Sequence, residues 1–176
     1  MPIPMLDMKA QYASLKPEID AAVARVLTEQ HFRGGPEVED FERELAAFSQ
    51  TARALGVGSG TDALLILFKA AGIGPGDEVI TTPFTFFATG GALVNAGATP
   101  VFADIHPDSF NLDIERVKEL IGPKTKALLP VHIFGQSVDM DAFMAVAAEH
   151  GLMLFEDNAQ SLGATWKGMR TRSEEH

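Results

Sequence analysis

Apolar positions along this chain change period as it proceeds. Ile19, Val23, Val26 and Leu27 recur three and four positions apart, the spacing of one helical face. Pro17 stands where a first helical turn tolerates proline, so a helix is expected to open there. Gly34-Gly35 break the pattern, and a second helix is expected from Pro36, with Val38, Phe41, Leu45 and Phe48 on one stripe. Both helices read as packing elements without chemistry. From Ala54 onward, short apolar runs alternate with helical periods. Strands are expected over 54–57, 78–82, 99–103, 126–131 and 152–155, and helices over 63–71, 88–95, 114–121 and 140–150. Gly122-Pro123 stop the third of these helices and Gly151 closes the last. Strands that are apolar throughout belong in a sheet covered on both faces, so the alternation predicts an α/β fold with a mostly parallel sheet. The expected organisation is an N-terminal helical segment over 1–50, a large domain over 51–172 and a tail over 173–176.

Composition narrows the function more than the fold. The 176 residues suffice for one domain with a sizeable core, and 46% hydrophobic with 22% charged is ordinary for a soluble protein. A formal net charge of −10 without a basic stripe argues against a nucleic-acid partner. The chain has no cysteine, which removes disulfides, thiol nucleophiles and thiolate metal sites together and suits a reducing compartment. The apolar N-terminus is too short for a signal peptide, and Asp7 and Lys9 interrupt it. The longest uncharged run, 79–103, is broken by Pro83, Gly90, Gly91, Asn95, Gly97 and Pro100, so it reads as strand, helix and strand rather than a membrane span. A cytoplasmic protein with no membrane partner is expected.

The candidate chemistry lies where strands end. Leu152-Met153-Leu154-Phe155 run straight into Glu156-Asp157-Asn158-Ala159-Gln160-Ser161. In an open α/β sheet the C-terminal ends of the strands are where ligands bind. A carboxylate buried there needs a cation, and a cofactor with a protonated ring nitrogen would provide one. A helix N-cap or a surface ion pair explains a lone Asp157 equally well. Gly58-Ser59-Gly60-Thr61-Asp62 leads into a helix, where glycines and unpaired N–H groups suit a phosphate, although Ser59, Thr61 or Asp62 would serve as plain caps. Gly58, Gly60 and Ala63 also fit a dinucleotide fingerprint, but Asp77 and Glu78 precede the second strand and Thr82-Pro83 end it, so the ribose-binding acid is misplaced. A nicotinamide enzyme is the weaker alternative. Pro83-Phe84-Thr85-Phe86-Phe87 offers an aromatic face at another strand end. His132 follows the strand at 126–131 with no partner at metal-ligand spacing, and no Gly-x-Ser-x-Gly elbow supports a triad. A flat, phosphorylated, protonated heteroaromatic would satisfy several of these features at once, which makes pyridoxal 5'-phosphate the candidate cofactor.

Ordered motifs over nearly the whole chain carry a resemblance. They are 7–11, Gly35-Pro36-Glu37-Val38, 58–64, Gly74-Pro75-Gly76-Asp77-Glu78-Val79-Ile80, Pro130-Val131-His132, Gly135-Gln136 and 156–161. On these residues the chain resembles the DegT/DnrJ/EryC/StrS family of sugar aminotransferases, from about Met5 to Arg172. The resemblance implies a fold-type I aminotransferase large domain that uses pyridoxal 5'-phosphate. It implies that Gly60, Thr61 and Asp62 hold the cofactor phosphate, that Phe87 stacks on the ring, that Asp157 pairs with the ring nitrogen and that Gln160 contacts the ring hydroxyl, with no metal. Such relatives move an amino group from glutamate to a keto sugar on a nucleoside diphosphate, as homodimers. Their Schiff-base lysine lies in a Ser-Phe-x-x-x-Lys segment beyond the Asp157 motif, and none of the seven lysines here lies in such a segment. The expectation is a large domain truncated before its last strands and small C-terminal domain, inactive alone. A non-catalytic cofactor- or nucleotide-sugar-binding module is the alternative.

Overall fold

The computed structural model describes residues 5–171; the lead-in at 1–4 and the tail at 172–176 lie outside the described residues. Two helices come first, α1 (Met8–Glu29) and α2 (Pro36–Ser49). Contrary to expectation α1 does not open at Pro17 but encloses it. The Asp7 carboxylate accepts the Ala10 N–H at 3.0 Å and starts the helix a full turn and more ahead of the proline. The proline removes one donor and crowds the turn before it, while 22 residues keep the ladder running on either side. The packing role expected for both helices is not met in α1, which buries no residue; Tyr12, Leu15, Ile19, Val23 and Leu27 are all exposed. α2 buries Ala46 and Ser49. The two helices are joined by Arg25 and Glu37, 2.6 Å apart. Segment 54–57 is not a strand. A strand is held by hydrogen bonds to a neighbour, and none of the four strands of the main sheet pairs with this segment, which leaves Leu55 80% exposed.

The rest is the alternation that the sequence suggests. In order come α3 (Gly60–Ala70), β1 (Glu78–Thr81), α4 (Phe87–Ala96), β2 (Thr99–Phe102), α5 (Ile114–Leu120), β3 (Thr125–Leu128), α6 (Met140–His150) and β4 (Met153–Leu154). The sheet is parallel throughout, in the order β2-β1-β3-β4. Successive side chains along a strand face opposite ways, so each strand feeds two cores. Val79, Ala127 and Leu129 meet Leu64 and Phe68 of α3 and Ala92, Leu93 and Ala96 of α4. Ile80 and Leu128 meet Val117 of α5 and Met140, Phe143 and Val146 of α6. Helices therefore cover both faces. The uncharged run at 79–103 is β1, α4 and β2, and no helix among the described residues is long and apolar enough to cross a membrane.

Pairing continues past β3 and β4 as one further rung, Val131 opposite Asp157, with the Asp157 N–H on the Pro130 carbonyl at 3.0 Å and the His132 N–H on the Asp157 carbonyl at 3.1 Å. A small hairpin follows, β5 (Thr165–Trp166) and β6 (Met169–Arg170). Lys167 and Gly168, at φ 48° and 87°, make its two-residue turn, the twist that suits a tight hairpin. No strand is expected from the sequence in this stretch.

Candidate active site

Asp157 is nine-tenths buried at the C-terminal end of the sheet. Its Oδ2 accepts the hydroxyl proton of Thr89, 68 residues away on α4, at 2.8 Å, and its Oδ1 accepts the Ala159 N–H at 3.2 Å. Thr89 has a single hydroxyl proton, and the carboxylate takes it. Thr85, 3.0 Å from Thr89, must therefore donate in turn. Two hydroxyl dipoles thus line up towards one carboxylate. No lysine, arginine or histidine among the described residues forms an ion pair with Asp157. Lys167, the lysine nearest to it along the chain, pairs instead with Asp141 on the surface.

The other candidate groups gather at the same edge. α3 leads through a tight turn into β1 and packs on the sheet, so its N-terminus lies at the C-terminal ends of the strands. Ser59 caps it, accepting the Asp62 N–H at 3.1 Å and giving its own proton to the Asp62 carboxylate at 2.9 Å. This cap is why α3 begins at Gly60, ahead of the expected residue 63. The N–H groups of Gly60 and Thr61 have no acceptor among the described residues, whereas that of Asp62 is taken. A Cβ built on Gly60 meets nothing within 4 Å, so the approach to these amides is open.

Phe87 opens α4, two residues before Thr89, and is 86% exposed. Its ring lies against Gly91, where a Cβ would come within 3.0 Å of it. The glycine that lowers helix propensity is thus the one that admits the ring. Gln160 is exposed, and its Oε1 accepts the Phe134 N–H at 3.3 Å. That contact assigns the amide orientation, leaving the Nε2 hydrogens as donors. His132 is fully buried with its Nε2 2.6 Å from Glu156.

Sequence reasoning singled out Asp157 and His132 but missed Thr89, Thr85 and Glu156. The register held a signal for Glu156: Leu128 pairs with Leu154, and carrying that offset forward brings 130–131 beside 156–157, with His132 next along on the same strand end. Thr85 and Thr89 stand four positions apart, but nothing local connects them to a carboxylate so distant in sequence. Asp77 and Glu78 stand at the start of β1, away from the strand end that a ribose-binding acid would occupy. No group of metal-binding residues occurs among the described residues.

The model of the DegT/DnrJ/EryC1/StrS aminotransferase family matches residues 13–174. Among curated proteins, the chain is 48% identical over 168 residues to dTDP-3-amino-3,4,6-trideoxy-alpha-D-glucose transaminase of Streptomyces venezuelae, covering 96% of this chain and 44% of the relative. Among solved structures, DesV of S. venezuelae superposes with a TM-score of 0.91 at 48% identity, covering 96% of this chain and 45% of that one. NtdA of Bacillus subtilis, solved with bound cofactor PMP, gives 0.84 at 35% identity, covering 88% and 36%. The chain thus spans less than half the length of these relatives. With the parallel sheet, the strand-end carboxylate and the family match in agreement, this chain belongs to the DegT/DnrJ/EryC1/StrS aminotransferase family.

Proposed function

We propose that this chain is the cofactor-binding part of an aminotransferase that uses pyridoxal 5'-phosphate to pass an amino group from glutamate to a keto sugar carried on a nucleoside diphosphate. The observation that carries the proposal is Asp157, a carboxylate nine-tenths buried with hydroxyl and amide partners but no ion-pair partner among the described residues. Burying such a charge costs several kcal/mol unless a cation meets it. A protonated ring nitrogen is a cation of the right size for that position.

The remaining groups fit the same molecule. The amides of Gly60 and Thr61 at the start of α3, without acceptors among the described residues, offer a phosphate two donors and the positive end of a helix dipole. In this reading Asp62, whose own N–H is committed, shapes the loop as a cap rather than donating to the phosphate. Phe87 presents an exposed ring for stacking, and the Gln160 Nε2 is free to donate to a ring oxygen. Bound there, the cofactor supplies an electron sink. Asp157 keeps the proton on the ring nitrogen, and Thr89 keeps Asp157 turned towards it. The likeness to a dTDP-sugar transaminase of S. venezuelae supports a nucleotide-linked sugar as the acceptor.

In the same reading the enzyme is cytoplasmic and a homodimer, the exposed apolar stripe of α1 being a surface for a second copy. The 176 residues alone do not turn over. Lys167, the lysine next to the Asp157 motif, has its amine pushed above the ordinary lysine value by its hydrogen bond to Asp141, so it stays protonated and is a poor nucleophile. The test is titration of the intact gene product with pyridoxamine 5'-phosphate. Replacing Asp157 with alanine should cost on the order of 3 kcal/mol of binding, and replacing it with glutamate much less. Undiminished binding by Asp157→Ala would refute the assignment.

A further inference from the structure

His132 and Glu156 take no part in the chemistry above, yet they are a buried ionisable pair beside it. The His132 side chain is fully buried and that of Glu156 is 10% exposed. The hydrogen bonds determine how the imidazole is protonated. The Val138 N–H points at Nδ1 at 3.2 Å, and an amide can only donate, so Nδ1 carries no proton. A ring bare at Nδ1 must carry its proton at Nε2, and that proton goes to Glu156 Oε2, 2.6 Å away. The ring is therefore the neutral Nε2–H tautomer, held from both sides.

Each end of this bridge is tied to the candidate site. The His132 N–H donates to the Asp157 carbonyl, and Glu156 immediately precedes Asp157. Two residues on, the Phe134 N–H orients Gln160, with Phe134 in the left-handed region at φ 56°, a conformation costly for an aromatic residue. Gly135 follows at φ 82°, and a Cβ there would meet the Gln160 carbonyl oxygen at 3.4 Å. Loop 132–135 thus touches the 156–160 segment through backbone and side chain at both of its candidate cofactor contacts.

We propose that His132 is a positioning residue: as a fixed Nε2–H donor to Glu156 it holds the segment that aims Asp157 at the ring nitrogen of the cofactor. The proposal rests on the functional reading above for its target, but the tautomer can be measured without any cofactor.

The experiment uses the intact gene product. Long-range proton–nitrogen spectra of the histidine rings should show one ring, lost in the His132 variants, with Nε2 protonated and Nδ1 bare. Two substitutions then separate its two contacts. His132→Gln can keep a donor near the Nε2 position, while His132→Asn keeps an acceptor near Nδ1 and gives up the bond to Glu156. Pyridoxamine 5'-phosphate labelled with 15N in its ring reports the proton that Asp157 holds. In wild type that nitrogen should be protonated. In His132→Asn it should shift towards the neutral form and the Kd should rise about tenfold, the loss of one charge-assisted hydrogen bond, with His132→Gln close to wild type. Val117→Ala, a cavity in the core beneath α5 and α6, should lower stability without moving the ring-nitrogen signal. An Nδ1–H tautomer, or a ring nitrogen unchanged in His132→Asn, overturns the positioning role. If His132→Asn does not fold, Glu156→Gln takes its place, with a weaker shift in the same direction expected and an unmoved signal again overturning the role. If wild type does not protonate the cofactor, the functional reading falls and the positioning role with it, even where the tautomer is as derived.

Discussion

α6 and α1 are both helices with apolar residues three and four apart, and they meet opposite fates. In 11 residues α6 buries Met140, Phe143, Val146 and Ala147 against the sheet. In 22 residues α1 buries none. Periodicity tells that a helix has an apolar face; it does not tell whether its own chain covers that face. The parallel-sheet region closes its two cores by itself because each strand is flanked by helices on both sides. α1 is held to α2 by a polar contact at the surface, Arg25 with Glu37, which contributes little.

The contrast can be tested by its energetics. Phe143→Ala in the sheet core should show the largest effect, a loss of about 3–5 kcal/mol in urea unfolding, because a large cavity opens at a site with no solvent access. Thr89→Val keeps the shape but takes the hydroxyl from Asp157, and should cost about 1–3 kcal/mol by the same measurement. Measured at dilutions where the chain is monomeric, so that no second copy covers α1, Ile19→Ala should change stability by no more than about 0.5 kcal/mol, as for surface positions generally. A loss near that of Phe143→Ala would show that α1 is packed after all, and would break the comparison.

The smallest effect belongs to the exposed pair Lys167 and Asp141. Its hydrogen bond to Lys167 holds the Asp141 carboxyl below the usual aspartate value. A carboxyl lowered in the folded state contributes stability that is full above its unfolded value and is lost as pH falls through the folded one. Acidification from neutral pH should therefore loosen the β5–β6 hairpin, read by the fluorescence of Trp166, the one tryptophan. Asp141→Asn should remove that pH dependence and leave the unfolding midpoint in place.

Much of the fold was legible because its signals are local. The apolar run at 126–131 next to the helical period at 140–150 gives β3 and α6 within a few residues. The reading failed where a distant partner decides: 54–57 has the composition of a strand and lacks a neighbour, and α1 has an apolar stripe and lacks a cover. At the candidate site, Asp157 stood out because four apolar residues running straight into a pair of carboxylates, Glu156 and Asp157, are anomalous. Thr89 did not, since a threonine in a helix is ordinary until its hydroxyl is found on a carboxylate far along the chain. The His132–Glu156 bridge fell between these cases, visible only once the register of β3 and β4 is known.

The separation of Thr89 and Asp157 by 68 residues also bears on the order of assembly. Closing so long a loop costs entropy that no local contact repays, so this bond is expected to form after the rate-limiting barrier, when β1, β3 and the helices between them are already in place. An interaction absent from the transition state shows itself in escape from the native basin rather than in the approach to it. Thr89→Val should then leave the refolding arm of a chevron plot where it is and raise the unfolding arm. The carboxylate at the centre of the candidate site would act as a late latch on the fold, governing how long the native protein lasts.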